Sequence, residues 1–137
     1  MSDEPAGMRG SPPGPLAALL GIRPEAFGDG AARFGLTLRE DHLNPYGVAH
    51  GGVVYSLVDT AMGAALVTRL EPGERCTTLE IKINYLAPVS AGDLQAEARL
   101  VERTRRVGVL EARVRGAGDA LVALATGTFY IQGGPTA

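Results

Sequence analysis

Both histidines of the chain, His42 and His50, fall in one short stretch, REDHLNPYGVAH (39–50), beside Asn44, and that stretch runs straight into Gly51 and Gly52. The run that follows, from Gly52 to about Leu70, is apolar almost throughout, and its one acidic residue is Asp59. A carboxylate set among Val58, Ala61, Met62 and Ala64 is costly to bury unless it is hydrogen-bonded, paired or put to use. Asp59 is therefore either a helix-surface residue that reaches solvent or a subunit boundary, or a reacting group. The glycine pair has two readings as well. At a helix N-terminus the first backbone N–H groups lack acceptors and carry the positive end of the dipole, and glycine leaves them open to a carbonyl oxygen, which makes an oxyanion hole feasible. The same glycines could simply permit a tight turn into the helix. Taken together, the residue types fit a site that polarises a carbonyl at the start of a helix.

Those residues need elements to hold them. Pro15 suits a first helical turn, so Leu16 to Leu20 form a short helix ended by Gly21. Ala32, Phe34, Leu36 and Leu38 alternate with Arg33 and Thr37, the mark of a half-buried strand over 31–38. A weaker strand over Ile22–Phe27, turned by Gly28, Asp29 and Gly30, completes a hairpin. Asn44-Pro45 and Gly47 make 39–50 a loop. A helix from Gly52 to about Leu70 with scarcely a polar face must be surrounded by protein. In the next strand, Thr78, Glu80, Lys82 and Asn84 alternate with Leu79, Ile81, Ile83 and Tyr85 until Pro88, giving one wet and one buried face. Three more strands are expected over Leu94–Val101, Val107–Arg115 and Leu121–Gln132, the last so apolar that it should lie inside the sheet. The order predicts an α+β fold, an antiparallel β-sheet wrapped around one long buried α-helix. One sheet covers only part of such a helix, which argues for a partner subunit.

Composition narrows the function classes. The chain has 137 residues, of which 45% are hydrophobic and 20% charged, and this fits one domain. Residues 1–14, rich in proline and glycine, read as a flexible leader, and 15–137 as the domain. Charge is −2 and the basic residues are scattered, so no nucleic-acid footprint is visible. Twelve of the thirteen basic residues are arginine, a bias that a Gly- and Ala-rich coding sequence explains without an anionic ligand. No apolar run approaches the roughly 18 residues of a membrane span. A single cysteine, Cys76, and two histidines match no structural zinc spacing, so neither a metal nor another cofactor is expected. With no signal-peptide pattern at the N-terminus, the expected compartment is the cytoplasm.

The segment HLNPYGVAHGGVVYSLVDTAMG, from His42 to Gly63, resembles the signature of the PaaI-like branch of hotdog-fold thioesterases, a branch named for a phenylacetate-degradation protein, and the strand order after it is similar too. The resemblance implies hydrolysis of an acyl-CoA thioester, with an aryl or arylacetyl group as one possibility, by a homodimer or a homotetramer built from two dimers. It implies that Asn44 and the Gly51 N–H polarise the thioester carbonyl. His50 would support the same loop or the thiolate side, and Asp59 would attack directly or activate water. Thr77 would hold that water or orient Asp59, and its strand parity with Leu79, Ile81 and Ile83 also turns it toward the helix. Gly52 would lie against the substrate. Tyr46 and Tyr55 could shape an acyl pocket or be plain core. Arg105 and Arg106 could grip CoA phosphates or be solvated turn residues. His42 and Gly47 read as structural.

One geometric point stands without the family. If Gly51 opens the helix, Asp59 lies roughly 12 Å further along its axis, at ~1.5 Å per residue. The two cannot flank one thioester within a single chain, but an antiparallel partner helix brings the Asp59 of one subunit beside the Gly51 of the other. Two other functions share these residues. A hotdog dehydratase or hydratase would use His50 and Asp59 as proton-transfer groups, though Asn44 and Thr77 suit water activation better. A non-catalytic acyl-CoA-binding protein is the third reading, and it would bind without turnover.

Overall fold

The computed structural model describes residues 14–134, so the leader expected over 1–14 lies outside the described residues except for Gly14. Helix α1 (Pro15–Leu20) starts on its proline and stops at Gly21, whose φ of 77° is the left-handed conformation open to glycine. Strands β1 (Arg23–Gly28) and β2 (Ala31–Thr37) form the hairpin. Its two turn residues, Asp29 and Gly30, both have positive φ, the turn whose twist matches that of paired strands. After the loop comes α2 (Gly51–Val67), then β3 (Glu74–Tyr85), β4 (Asp93–Arg103), β5 (Val107–Arg115) and β6 (Leu121–Gly133). Every pairing is antiparallel, in the order β1-β2-β4-β5-β6-β3, so the apolar last strand is interior as expected.

Helix α2 lies across one face of this sheet. Leu57, Val58, Ala61, Met62, Ala65 and Leu66 are fully buried against inward residues such as Phe34, Leu36, Leu110 and Ile131. The approach is close because two facing strand positions lack side chains. A Cβ on Gly127 would stand 2.8 Å from Met62 Sδ, and one on Gly108 would stand 3.0 Å from the Leu66 methyl groups. The rest of the helix is only half covered. Tyr55, Ser56, Asp59, Thr60, Gly63 and Val67 recur at helical spacing along one stripe that the sheet does not bury. Two hydroxyls in this stripe turn inward to the helix itself: Ser56 donates to the Gly52 carbonyl at 2.8 Å and Thr60 to the Ser56 carbonyl at 2.7 Å. No helix among the described residues is long and apolar enough to cross a membrane.

Strand β3 departs from its expected alternation. Its register with β6 slips between Thr78, opposite Phe129, and Glu80, opposite Thr128, leaving Leu79 as the extra residue of a β-bulge, 58% exposed. One inserted residue reverses the facing of everything before it relative to everything after it. Ile81 and Ile83 keep their inward side, but ahead of the bulge the inward residues are Cys76 and Thr78. Thr77, which strand parity turned toward the helix, is exposed on the far side, and Thr78, expected in solvent, faces Asp59. Tyr85, expected to be buried, is 52% exposed. Among the described residues β3 is also an edge strand, with a hydrogen-bonded neighbour on the β6 side only.

Candidate active site

The site is built on the loop that enters α2. His42, 1% exposed, anchors it: its Nδ1 accepts the Arg39 N–H at 2.9 Å, which puts the ring proton on Nε2, and Nε2 donates to the Leu20 carbonyl at 2.8 Å. The His42 carbonyl in turn accepts the backbone N–H of His50 at 2.8 Å. His50 is the N-cap of α2, with Nδ1 accepting the Gly52 N–H at 2.8 Å. A chain of hydrogen bonds thus runs from α1 through both histidines into the first turn of α2. Both ring nitrogens of His42 are thus engaged within the chain, and Nδ1 of His50 is engaged at the helix start.

Asn44 is held just as firmly. Its Oδ1 accepts the Tyr46 N–H at 2.9 Å and the Val48 N–H at 3.3 Å, closing a turn that Gly47 completes at φ 81°. Two N–H donors on one side-chain atom identify it as the oxygen, so Nδ2 faces the other way and donates to no group among the described residues. The Gly51 N–H is likewise without an acceptor among the described residues, since the neighbouring donors of Gly52, Val53 and Val54 all go to His50. Asn44 and Gly51 line one cleft of about 330 Å³, walled by Val54, Tyr85, Leu86 and Val89. Two unused N–H donors beside an apolar wall can hold a carbonyl oxygen.

Asp59 stands eight residues further along α2, outside that cleft. Its Oδ1 accepts the Thr78 hydroxyl at 2.6 Å, a short charge-assisted bond, and Oδ2 accepts nothing from the described residues. No buried side-chain polar atom among them lacks a partner, so Oδ2 opens to the outside of the chain. Burial and the Asp59 carboxylate together push the Cys76 thiol pKa up, which keeps the thiol protonated beside it. Thr78 is the residue that sequence reasoning missed at this point, because the bulge is invisible to strand parity. Tyr85 was missed as well. Its hydroxyl donates to the Gly51 carbonyl at 2.8 Å, and its ring lies 3.2 Å from where a Gly51 Cβ would be.

The other expected residues are spread out. Gly52 is exposed at the helix start, and Tyr55 is half-buried on the uncovered stripe. Tyr46 is 91% exposed at the tip of its turn. Arg106 uses its guanidinium on the carbonyls of Ile131 and Gly133, at 3.3 and 3.2 Å, whereas Arg105 is exposed in the turn between β4 and β5. A larger groove of about 460 Å³ on the other face of the sheet contains none of the loop residues. Its Arg33, Glu97 and Arg113 stand opposite one another on adjacent strands, as do Arg99 and Glu111, an alternation of charge that reads as a solvated sheet face.

Known proteins are similar to this chain in sequence and in fold. A structure of a variant of the phenylacetic acid degradation protein PaaI from Thermus thermophilus is 32% identical, with a TM-score of 0.79 over 85% of this chain and 97% of that one. The thioesterase HI1161 of Haemophilus influenzae is 26% identical, with a TM-score of 0.82 over 94% of this chain and 87% of that one. The 1,4-dihydroxy-2-naphthoyl-CoA hydrolase of Listeria monocytogenes is 27% identical across 85% of this chain and 95% of its own length. The antiparallel sheet and the main helix packed against it are thus those of the hotdog fold. With the sequence profile of the thioesterase superfamily matching residues 46–123, a span that includes Gly51, Asp59 and Thr78, the chain belongs to that superfamily of hydrolases.

Proposed function

We propose that the protein hydrolyses an acyl-CoA thioester to a carboxylic acid and free CoA, in a site shared between two subunits. The observation that carries this reading is that Asn44 and Gly51, each with an N–H donor unused among the described residues, line one cleft while the carboxylate that could complete the reaction, Asp59, lies outside it on the same helix. Along the helix axis eight residues span about 12 Å, too far for both to serve one carbonyl carbon. The free edge of β3 offers the remedy. Antiparallel pairing of two β3 edges about a two-fold axis continues the sheet across both subunits and sets the α2 helices antiparallel. Each cleft then meets the Asp59 of the other subunit.

In that arrangement the thioester oxygen accepts hydrogen bonds from the Gly51 N–H and Asn44 Nδ2, which strengthen as negative charge develops on it. Asp59 either adds to the carbonyl carbon, giving an anhydride that water then opens, or removes a proton from a water that adds there. In both routes the C–S bond breaks, the electron pair leaves with sulfur, and CoA takes up a proton. Thr78 fixes one oxygen of Asp59 and leaves the other free to react. His50 keeps the donor loop in place. Arg105, exposed in its turn, is the arginine of the 105–106 pair left free to meet a CoA phosphate. The Listeria relative's naphthoyl-CoA substrate and the phenylacetic acid context of PaaI support an aryl or arylacetyl acyl group. A cytoplasmic setting, where CoA thioesters are made, belongs to the same reading.

The test is release of free CoA from a panel of aryl, arylacetyl and straight-chain acyl-CoA thioesters, without added metal. Turnover of at least one aryl or arylacetyl thioester is expected, and it should survive a chelator, since among the described residues no three His, Cys, Asp or Glu side chains gather as a metal site would need. Ligand-induced stabilisation across the panel with no CoA release would instead mark a binding protein.

A further inference from the structure

We infer that Tyr85 is a positioning residue for the reaction, acting with His50 to clamp the single peptide unit between Gly51 and Gly52. This inference rests on the thioester-hydrolysis reading and adds a residue to it. The Gly51 carbonyl and the Gly52 N–H belong to the same peptide plane. Tyr85 Oη donates to that carbonyl at 2.8 Å, and His50 Nδ1 accepts from that N–H at 2.8 Å. The plane is therefore gripped at both ends, by side chains from a strand and from the loop. Such a grip matters here more than at an ordinary helix start, because two successive glycines have the widest backbone freedom of any pair. Left to themselves they would let the first turn of α2 rock, and the unused Gly51 N–H, on the adjoining peptide, would rock with it.

Four features fit Tyr85 to this role. It ends β3, so its backbone is held by the pairing with Ala123 of β6, and the clamp is referred to the sheet rather than to the loop. Its ring lies against the Gly51 Cα so closely that a Cβ there would come within 3.2 Å of Cζ and of the hydroxyl. That contact gives Gly51 a reason beyond the turn. Partial desolvation of the hydroxyl chiefly, and the neighbouring Tyr55 next, push the Tyr85 pKa up from its ordinary value, which favours the protonated, donating form. Tyr85 also forms part of the cleft wall that the acyl thioester would occupy, so the group that sets the donor is beside the carbonyl it serves.

The experiment is Tyr85→Phe, which keeps the ring and its packing and deletes only the hydroxyl. Steady-state kinetics on the best thioester of the panel should show kcat lower by about tenfold with KM within about twofold, because a misaligned oxyanion donor is felt mainly in the transition state. In amide NMR spectra the Gly51 and Gly52 resonances should shift and exchange faster with solvent, while those of β5 and β6 stay in place. A role in packing alone would lower the melting temperature without this split between kcat and KM. Wild-type kcat in an active Tyr85→Phe protein, or a change confined to KM, overturns the clamp and leaves thioester hydrolysis standing. Unmoved Gly51 and Gly52 amides overturn it as well. A wild-type protein that releases CoA from no thioester overturns both readings.

Discussion

Asp59 is a half-buried carboxylate with one oxygen tied by the Thr78 hydroxyl, and in the proposed reaction the other oxygen is the one that acts. The 2.6 Å bond sets the direction of the carboxyl plane, and the bulge at Leu79 is what turns Thr78 inward to make it. Asp59→Asn keeps the volume but removes the nucleophile or base, so kcat should fall by ~100-fold or more with the circular dichroism spectrum unchanged. Near-normal turnover would remove Asp59 from the reaction. The two adjacent threonines separate the structure from strand parity. Thr78→Val should lower kcat about tenfold, since a water can replace part of the lost bond, whereas Thr77→Val, on the exposed side, should leave it unchanged. The reverse ranking would mean that β3 runs without its bulge.

Among the elements, β3 carries most of the burden, because Glu74, Thr78 and Tyr85 each tie it to a different part of the molecule. At its start Glu74 Oε1 and Oε2 take bonds from Arg103 Nη1 and Nη2 at 2.9 and 3.2 Å, and Oε1 also accepts the Glu71 N–H at 2.7 Å. The hydrogen bond from Arg103, then that from Glu71, holds the Glu74 carboxyl at about 2, well below its ordinary 4.5. A carboxyl lowered by folding adds stability that is whole above pH 4.5 and is lost as pH falls through about 2. Glu74→Gln should therefore melt below the wild type at neutral pH, and the gap should close between pH 4.5 and 2 in thermal scans. A gap that stays constant over that window would show the ion pair adds nothing. Much of this architecture was legible in the sequence. The alternation over β2, the all-apolar α2 and the Gly51-Gly52 start are local patterns, and periodicity reads them. The bulge and the reach of Tyr85 to Gly51 are settled by pairing with β6 and by packing across 34 residues of chain, which no local pattern encodes. For the same reason the glycine pair that opens α2 could be picked out from residue type and Asn44 from the family resemblance, but the threonine facing Asp59 could not be read from either.

At the scale of the whole molecule, the distance between Gly51 and Asp59 turns a question of mechanism into one of assembly. Co-expression of an Asp59→Asn chain with an Asn44→Ala chain should give mixed dimers with one intact and one doubly altered site. With random pairing of independent sites, activity should return to roughly one quarter of wild type, although each variant alone is nearly inactive. If both residues served one carbonyl within a chain, mixing would restore nothing. The sheet order carries a consequence of its own for how the protein comes into being. Among the described residues of one chain β3 pairs with β6 alone, and its pairs lie 38 residues away at Tyr85↔Ala123 and 59 away at Glu74↔Gly133. During synthesis β3 leaves the ribosome well before the strand it needs, so its long edge waits exposed and the Thr78 and Tyr85 contacts form late. In the proposed reaction, then, the contacts that orient Asp59 and Gly51 depend on a strand made long after the helix that carries both residues.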